Sequence, residues 1–216
     1  MSANTPLTDE QRKAVSEVRA MYSRLFASLP FGTAESVEER ARLPDPGSIP
    51  ADVTVRVEIA PPSPHPHPLL PSAALKTPER VPIYFYSLAS DPPASNAELA
   101  DTRVIFFIHG GGNIIGHPTH APFFQFYIQL LRVIASHSEG DSAGAGKCVL
   151  IAPSYRLATV PENAFPAALQ DIVAAYDYVL GKGYHASNVV VAGDSAGGNH
   201  GQCSFPGHGH AGLTAP

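Results

Sequence analysis

The chain has 216 residues, of which 44% are hydrophobic and 15% are charged, and this length fits one domain or a large part of one. Fourteen basic and 19 acidic residues leave a formal net charge of −5 without a basic patch, which argues against a nucleic-acid partner. Cys148 and Cys203 are too few for a disulfide framework. No transmembrane segment and no signal peptide are predicted, so we expect a cytoplasmic protein.

The first 50 residues are predicted to be mainly helical. Thr8 and Gln11 have the spacing of a capping box, and apolar residues then recur at helical intervals as far as Leu29. Residues 35–42 are expected to add a short charged helix before Pro44.

A strand and a long loop come next. Val53, Val55, Val57 and Ile59 alternate with polar residues, which predicts a half-buried edge strand. Residues 60–82 contain eight prolines and are predicted to form an extended loop. His65 and His67 lie in this loop, but no cysteine or acidic cluster accompanies them, so we predict no metal site.

The remaining pattern alternates strands with helices. Strands are expected over 83–88, 104–108, 148–152 and 189–192, and helices over 123–137 and 161–181. This alternation predicts the α/β class, with a mainly parallel sheet, helices on both faces and an active site at the carboxyl ends of the strands. Asp171 and Asp177 are expected on or near the solvent side of the last helix. We reject both as catalytic acids because they precede the serine motif at 189–199 and lie on a crossover helix away from the strand ends.

The segment 189–199 carries the strongest motif. An apolar strand, Val-Val-Val-Ala, stops at Gly193 and is followed by Asp194, Ser195, Ala196 and Gly197. Glycines two residues to either side of a serine allow a sharp strand-to-helix turn, because they have no Cβ to collide with the neighbouring backbone. The pattern predicts a serine whose hydroxyl is lifted clear of the sheet.

A second strand ends in a similar way. The apolar run 104–108 leads directly into His109, Gly110, Gly111 and Gly112. Acyl transfer places negative charge on a former carbonyl oxygen, and a fixed backbone N–H stabilises that charge by about 3 kcal/mol. Two glycine-rich turns at strand ends therefore indicate a serine nucleophile with an oxyanion hole.

These motifs resemble the α/β-hydrolases of the hormone-sensitive lipase type, an esterase and lipase family. The resemblance covers about residues 80–199, including Ser154-Tyr155-Arg156-Leu157-Ala158 between the two motifs. It implies a carboxylic ester hydrolase that works through a serine acyl-enzyme on a small-molecule ester, with no cofactor. It also implies roles for individual residues: Ser195 as nucleophile, the amides of Gly111, Gly112 and Ala196 as oxyanion hole, and His109, Gly110, Gly193, Asp194 and Gly197 as residues that support the two motifs.

The resemblance also defines an expected domain organisation. Residues 1–50 would form a helical, lid-like segment, 51–199 a partial α/β-hydrolase domain truncated after the nucleophile turn, and 200–216 a divergent, disordered tail. The first helix could instead be an ordinary core element. The glycines and prolines of the tail argue against a helix behind Ser195.

The chain departs from the family on the carboxyl-terminal side of the nucleophile. No Asp or Glu occurs after Ser195, and the only histidines there are His200, His208 and His210. We therefore expect a truncated relative of a longer esterase, with the strand 189–192 left as an exposed edge. Two alternatives remain: a catalytically inactive fragment or non-enzymatic binding module on the same fold, and another serine hydrolase such as a peptidase. Nothing in the sequence defines an oligomeric state.

Overall fold

The computed structural model describes residues 8–29, 31–63, 75–90, 96–138 and 147–205. Its contacts divide the chain into two units, residues 1–32 and residues 33–216. The sequence placed a boundary after residue 50, whereas the structure assigns 33–50 to the larger unit. No helix within the described residues combines the length and apolar character needed to cross a membrane.

The smaller unit contains the predicted amphipathic helix, α1 (Asp9–Ala27). Its capping box is present, because the Thr8 amide donates to Gln11 Oε1 at 2.9 Å and the Gln11 amide donates to Thr8 Oγ1 at 3.2 Å. Val15, Val18 and Met21 on this helix are exposed. Its role, as core element or as lid, stays a prediction.

The larger unit is built on a five-stranded sheet of order β1-β2-β4-β3-β5. The strands are β1 (Val53–Ala60), β2 (Val81–Leu88), β3 (Arg103–Ile108), β4 (Cys148–Pro153) and β5 (Val189–Gly193). β2 runs antiparallel to both of its neighbours, whereas β3 is parallel to β4 and to β5. Four of the five strands therefore share one direction. This sheet confirms the predicted α/β class, and β5 lies at its edge as expected.

Helices cover both faces of the sheet. The remaining helices are α2 (Val37–Arg40), α3 (Asn96–Asp101), α4 (Ala121–Ser138), α5 (Ala167–Gly181) and α6 (Ala196–Ser204). Side chains of β3 alternate between the two faces: Phe106 packs in a core with residues of α5, and Phe107 in a core with residues of α4. The helices on opposite faces follow from this alternation, since both faces of the strand are apolar.

A buried ion cluster ties α2 to α5, and it corrects one expectation. Asp171 was predicted near solvent but is 1% exposed. Arg156, also buried, donates to its carboxylate from Nη2 at 2.8 Å and from Nε at 3.0 Å. Arg40 of α2 lies 3.6 Å from the same carboxylate and donates to the Ser154 carbonyl at 2.7 Å. Asp171 is thus a structural anion for two buried arginines.

The expectation that no helix follows Ser195 is wrong. Helix α6 extends to Ser204, beyond the predicted boundary of the tail at residue 200. Phe205 is also buried, with its ring 4.4 Å from that of Tyr176. The helix forms despite its glycines because they lie where α6 approaches the sheet closely. Residues 206–216, which include His208 and His210, lie outside the described residues.

Candidate active site

Ser195 occupies a strained turn between β5 and α6. Its φ of 49° and ψ of −119° are rare for any residue except glycine and typically cost about 1–3 kcal/mol. The turn is possible only with glycines beside it: a Cβ on Gly193 would lie 2.6 Å from the Gly197 carbonyl carbon, and one on Gly197 would overlap the Ile108 carbonyl oxygen. The strand direction and this turn leave Ser195 exposed at the carboxyl end of β5.

The residues 109–113, here called the glycine loop, follow β3 at the same end of the sheet. Gly111, Gly112 and Asn113 have φ values of 111°, 62° and 64°. A Cβ on Gly111 would overlap the Ile115 carbonyl oxygen, and the Ile115 amide donates to the Gly111 carbonyl at 3.1 Å. The loop is therefore a tight turn that requires glycine at its centre.

A single side chain joins the glycine loop to the serine turn. Asp194 Oδ1 accepts a hydrogen bond from the Gly110 amide at 2.7 Å. A Cβ on Gly110 would overlap the Asp194 carboxylate, so only glycine allows this approach. Because Asp194 precedes Ser195 and Gly110 precedes Gly111, the bond holds the serine beside the loop amides.

His109 is buried beneath the glycine loop. Its ring is 1% exposed and stacks on Tyr155 with 4.3 Å between the centroids. Its Nδ1 donates to the Gly110 carbonyl at 2.8 Å, and the Tyr155 hydroxyl donates to the His109 carbonyl at 2.7 Å. Burial lowers the pKa of His109 to about 3, so the ring is neutral at ordinary pH. Its contacts hold the loop in shape and do not reach Ser195.

His200 has contacts that the sequence did not reveal. It is 6% exposed on α6, and its Nε2 donates to Asn113 Oδ1 at 2.5 Å. Its ring also packs against that of Tyr155, with 5.7 Å between the centroids and an angle of 64° between the planes. The sequence offered His200 only as one of three histidines after Ser195, with nothing in the glycine-rich tail to hold it near the serine as a base. Its spacing from Gly197, one turn away on the helix face that approaches the sheet, was the available sign that it is buried.

Within the described residues, no hydrogen bond joins a histidine or a carboxylate to the Ser195 hydroxyl. The same part of the chain contains no group of three His, Cys, Asp or Glu side chains that could hold a metal ion. His65 and His67 lie outside the described residues. The arrangement thus places an exposed serine hydroxyl in a strained turn next to a glycine-rich loop, a geometry that is compatible with attack on an electrophilic carbonyl.

Parts of this chain are similar to known proteins. Residues 105–201 match a family model described as the alpha/beta hydrolase fold. An acetyl-hydrolase of Streptomyces hygroscopicus is 39% identical over 97 residues, which are 45% of this chain and 27% of that protein. A solved esterase of the bacterial hormone-sensitive lipase family is 24% identical, with 91% of this chain and 51% of the esterase covered and a TM-score of 0.43.

The esterase EstE5, solved after soaking with p-nitrophenyl butyrate, is 20% identical, with 85% of this chain and 49% of EstE5 covered and a TM-score of 0.45. The chain therefore spans about half the length of these solved esterases and about a quarter of the acetyl-hydrolase.

Proposed function

We propose that this chain belongs to the α/β-hydrolase fold family, of the hormone-sensitive lipase type, and that it carries the nucleophile half of a carboxylic ester hydrolase; the match of residues 105–201 to the model of that fold supports the assignment. The observation that supports the proposal best is the hydrogen bond from the Gly110 amide to Asp194. It joins a serine in a strained turn to a loop whose amides are oriented by glycine conformations. An ordinary flexible glycine-rich loop would not be anchored by such a hydrogen bond.

The proposed chemistry assigns one role to each group. Ser195 Oγ attacks the carbonyl carbon of a small-molecule ester, and its proton passes to a base. The amides of Gly111, Gly112 and Ala196 donate to the oxygen that becomes negative, each well-aimed donor contributing about 3 kcal/mol. The tetrahedral intermediate collapses, the alcohol leaves with a proton, and water later hydrolyses the acyl-serine to release the acid.

The base is the part that the described residues do not supply. His109 is bonded to Gly110, and His200 is bonded to Asn113. In the proposal, the base comes from residues outside the described ranges or from another polypeptide. Without one, a serine with an oxyanion hole retains an acceleration on the order of 10³ to 10⁴ over water. This same observation favours the second candidate function, an inactive fragment or a binding module on the same fold.

Hydrolysis of p-nitrophenyl butyrate separates the two candidates. The assay compares the chain with Ser195→Ala and with Ser187→Ala as a matched control. Ser187 is an exposed serine whose hydroxyl meets His185 Nδ1 at 2.7 Å, but it has no strained turn and no glycine loop. Turnover that Ser195→Ala abolishes and Ser187→Ala leaves intact supports the esterase. Equal turnover in all three proteins contradicts it and favours the binding module.

A further inference from the structure

His200 connects helix α6 to the end of the glycine loop. It lies five residues after Ser195 on the helix whose first residue is Ala196, and its partner Asn113 directly follows Gly112. The bond therefore spans the two backbone segments that supply the proposed oxyanion amides.

The chemistry of the two groups fixes the direction of this bond. An amide oxygen can only accept, so Nε2 of His200 carries the proton. Burial lowers the pKa of His200, which keeps the ring neutral in the range where esterases are assayed. The ring edge is also packed against Tyr155, which limits its rotation. Nε2 is thus protonated and is not the acceptor that a general base must offer; the unprotonated ring nitrogen is Nδ1.

Asn113 needs this support because its backbone is strained. Its φ of 64° is uncommon for residues other than glycine, although asparagine tolerates it best. Its carbonyl accepts from the Ala158 amide at 2.6 Å, which anchors the backbone on one side. The His200 bond anchors the side chain on the other. Removing the donor leaves a partly buried amide oxygen without its partner and allows the loop to relax.

The loop is consequently held at both ends by residues that flank Ser195. Asp194, one residue before the serine, binds Gly110 at the start of the loop. His200, on the helix after the serine, binds Asn113 at its end. Gly111 and Gly112 lie between these two anchors. A change at either anchor shifts their amides relative to the amide of Ala196.

We propose that His200 is a positioning residue that sets the distance between the glycine-loop amides and the Ala196 amide through its bond to Asn113. This inference rests on the proposed function, since it assigns His200 to the oxyanion hole of that same site. It assigns Nε2 of His200 to the bond with Asn113 and not to a general base.

Two substitutions separate the hydrogen bond from the packing. His200→Phe keeps a ring against Tyr155 but deletes the donor, whereas His200→Gln keeps an N–H donor of similar reach but loses the ring. We expect kcat for p-nitrophenyl butyrate to fall about 10-fold to 100-fold in His200→Phe with KM nearly unchanged, because a displacement of about 1 Å costs that much. His200→Gln should restore kcat to within about threefold of the parent chain.

The two alternatives predict other patterns. A packing role makes His200→Gln the more damaging change, and a catalytic base makes both variants fall to the rate of Ser195→Ala. Either pattern overturns the proposal.

A second measurement does not depend on turnover. Amide hydrogen exchange of the peptide covering residues 109–116 should be faster in His200→Phe than in the parent chain, and unchanged in His200→Gln. If the parent chain shows no turnover that depends on Ser195, the esterase proposal fails, and this exchange pattern still decides the role of His200. Equal exchange in all three proteins contradicts the inference.

Discussion

Substitution of Gly197 by alanine should break the junction between α6 and β3. The added Cβ would overlap the Ile108 carbonyl oxygen and lie 2.7 Å from the His109 carbonyl oxygen. Both contacts are backbone atoms in or next to a central strand, so the helix has to move away from the sheet. Forcing a methyl group into such a site costs about 1–3 kcal/mol, and the gain in helix propensity of about 1 kcal/mol offsets only part of it.

Gly201→Ala is the matched control, because Gly201 lies one turn further along the same buried helix face. Its added Cβ would meet only side chains, Val191 Cγ1 at 3.3 Å and Ile108 Cδ1 at 3.9 Å. We expect the free energy of unfolding of this variant to lie within about 0.5 kcal/mol of that of the parent chain, or to be slightly higher. Urea unfolding followed by circular dichroism measures both variants. A Gly197→Ala protein as stable as the Gly201→Ala protein would refute the close approach of α6 to β3 at Gly197.

Three further predictions concern stability and association. Asp171→Asn should lower the free energy of unfolding by about 3–5 kcal/mol in urea titrations, because it removes the buried carboxylate that Arg156 and Arg40 share and leaves them only the half-exposed Glu79. A loss below about 1 kcal/mol would contradict the ion cluster. The pKa values of His109 and His117 are lowered to about 3 and about 4, mainly by burial. As the pH falls below about 6.5, the unfolded chain therefore takes up protons on these histidines while the folded chain does not, and the free energy of unfolding should fall by about 1.4 kcal/mol per pH unit for each histidine. His117→Gln should reduce this slope. A free energy of unfolding that stays constant between about pH 6.5 and 5 would contradict the burial of the two rings. Val190 is 50% exposed on the edge strand β5 and should promote association between copies of the chain. Val190→Lys should therefore reduce light scattering at high protein concentration. Unchanged scattering would contradict an open edge at β5.

The sequence predicted the sheet well because its strands carry strong local signals. The run 104–108 is apolar on every residue, as strands covered on both faces are, and the glycines after it mark the turn. The strained turn at Ser195 was predicted in the same way, since Gly193 and Gly197 lie where the backbone approaches neighbouring backbone too closely for a side chain.

The errors arose where distant contacts override local preference. The glycines of α6 weaken an isolated helix, but Gly197 and Gly201 face β3 and β5, where a side chain would hold the helix away from the sheet. Asp171 has the charge of a surface residue, yet Arg156 and Arg40 surround it. Arg40 lies 131 positions away in the sequence, so no local pattern could reveal the cluster.

The bond between His200 and Asn113 escaped prediction for the same reason. The two residues are 87 positions apart, and they meet only because β3 and β5 are neighbours in the sheet. The sequence could place His200 only in a glycine-rich tail, whereas the structure pairs it with the side-chain amide of Asn113.

Covalent labelling of Ser195 tests the central claim most directly. Phenylmethylsulfonyl fluoride transfers its sulfonyl group to an activated serine oxygen, and fluoride leaves. Mass spectrometry of the digested chain should find one adduct, on the peptide that contains Ser195, and the same adduct in the Ser187→Ala control. A protein that gains no adduct, or that is labelled equally at other serines, would contradict a nucleophile prepared by the strained turn and the glycine loop.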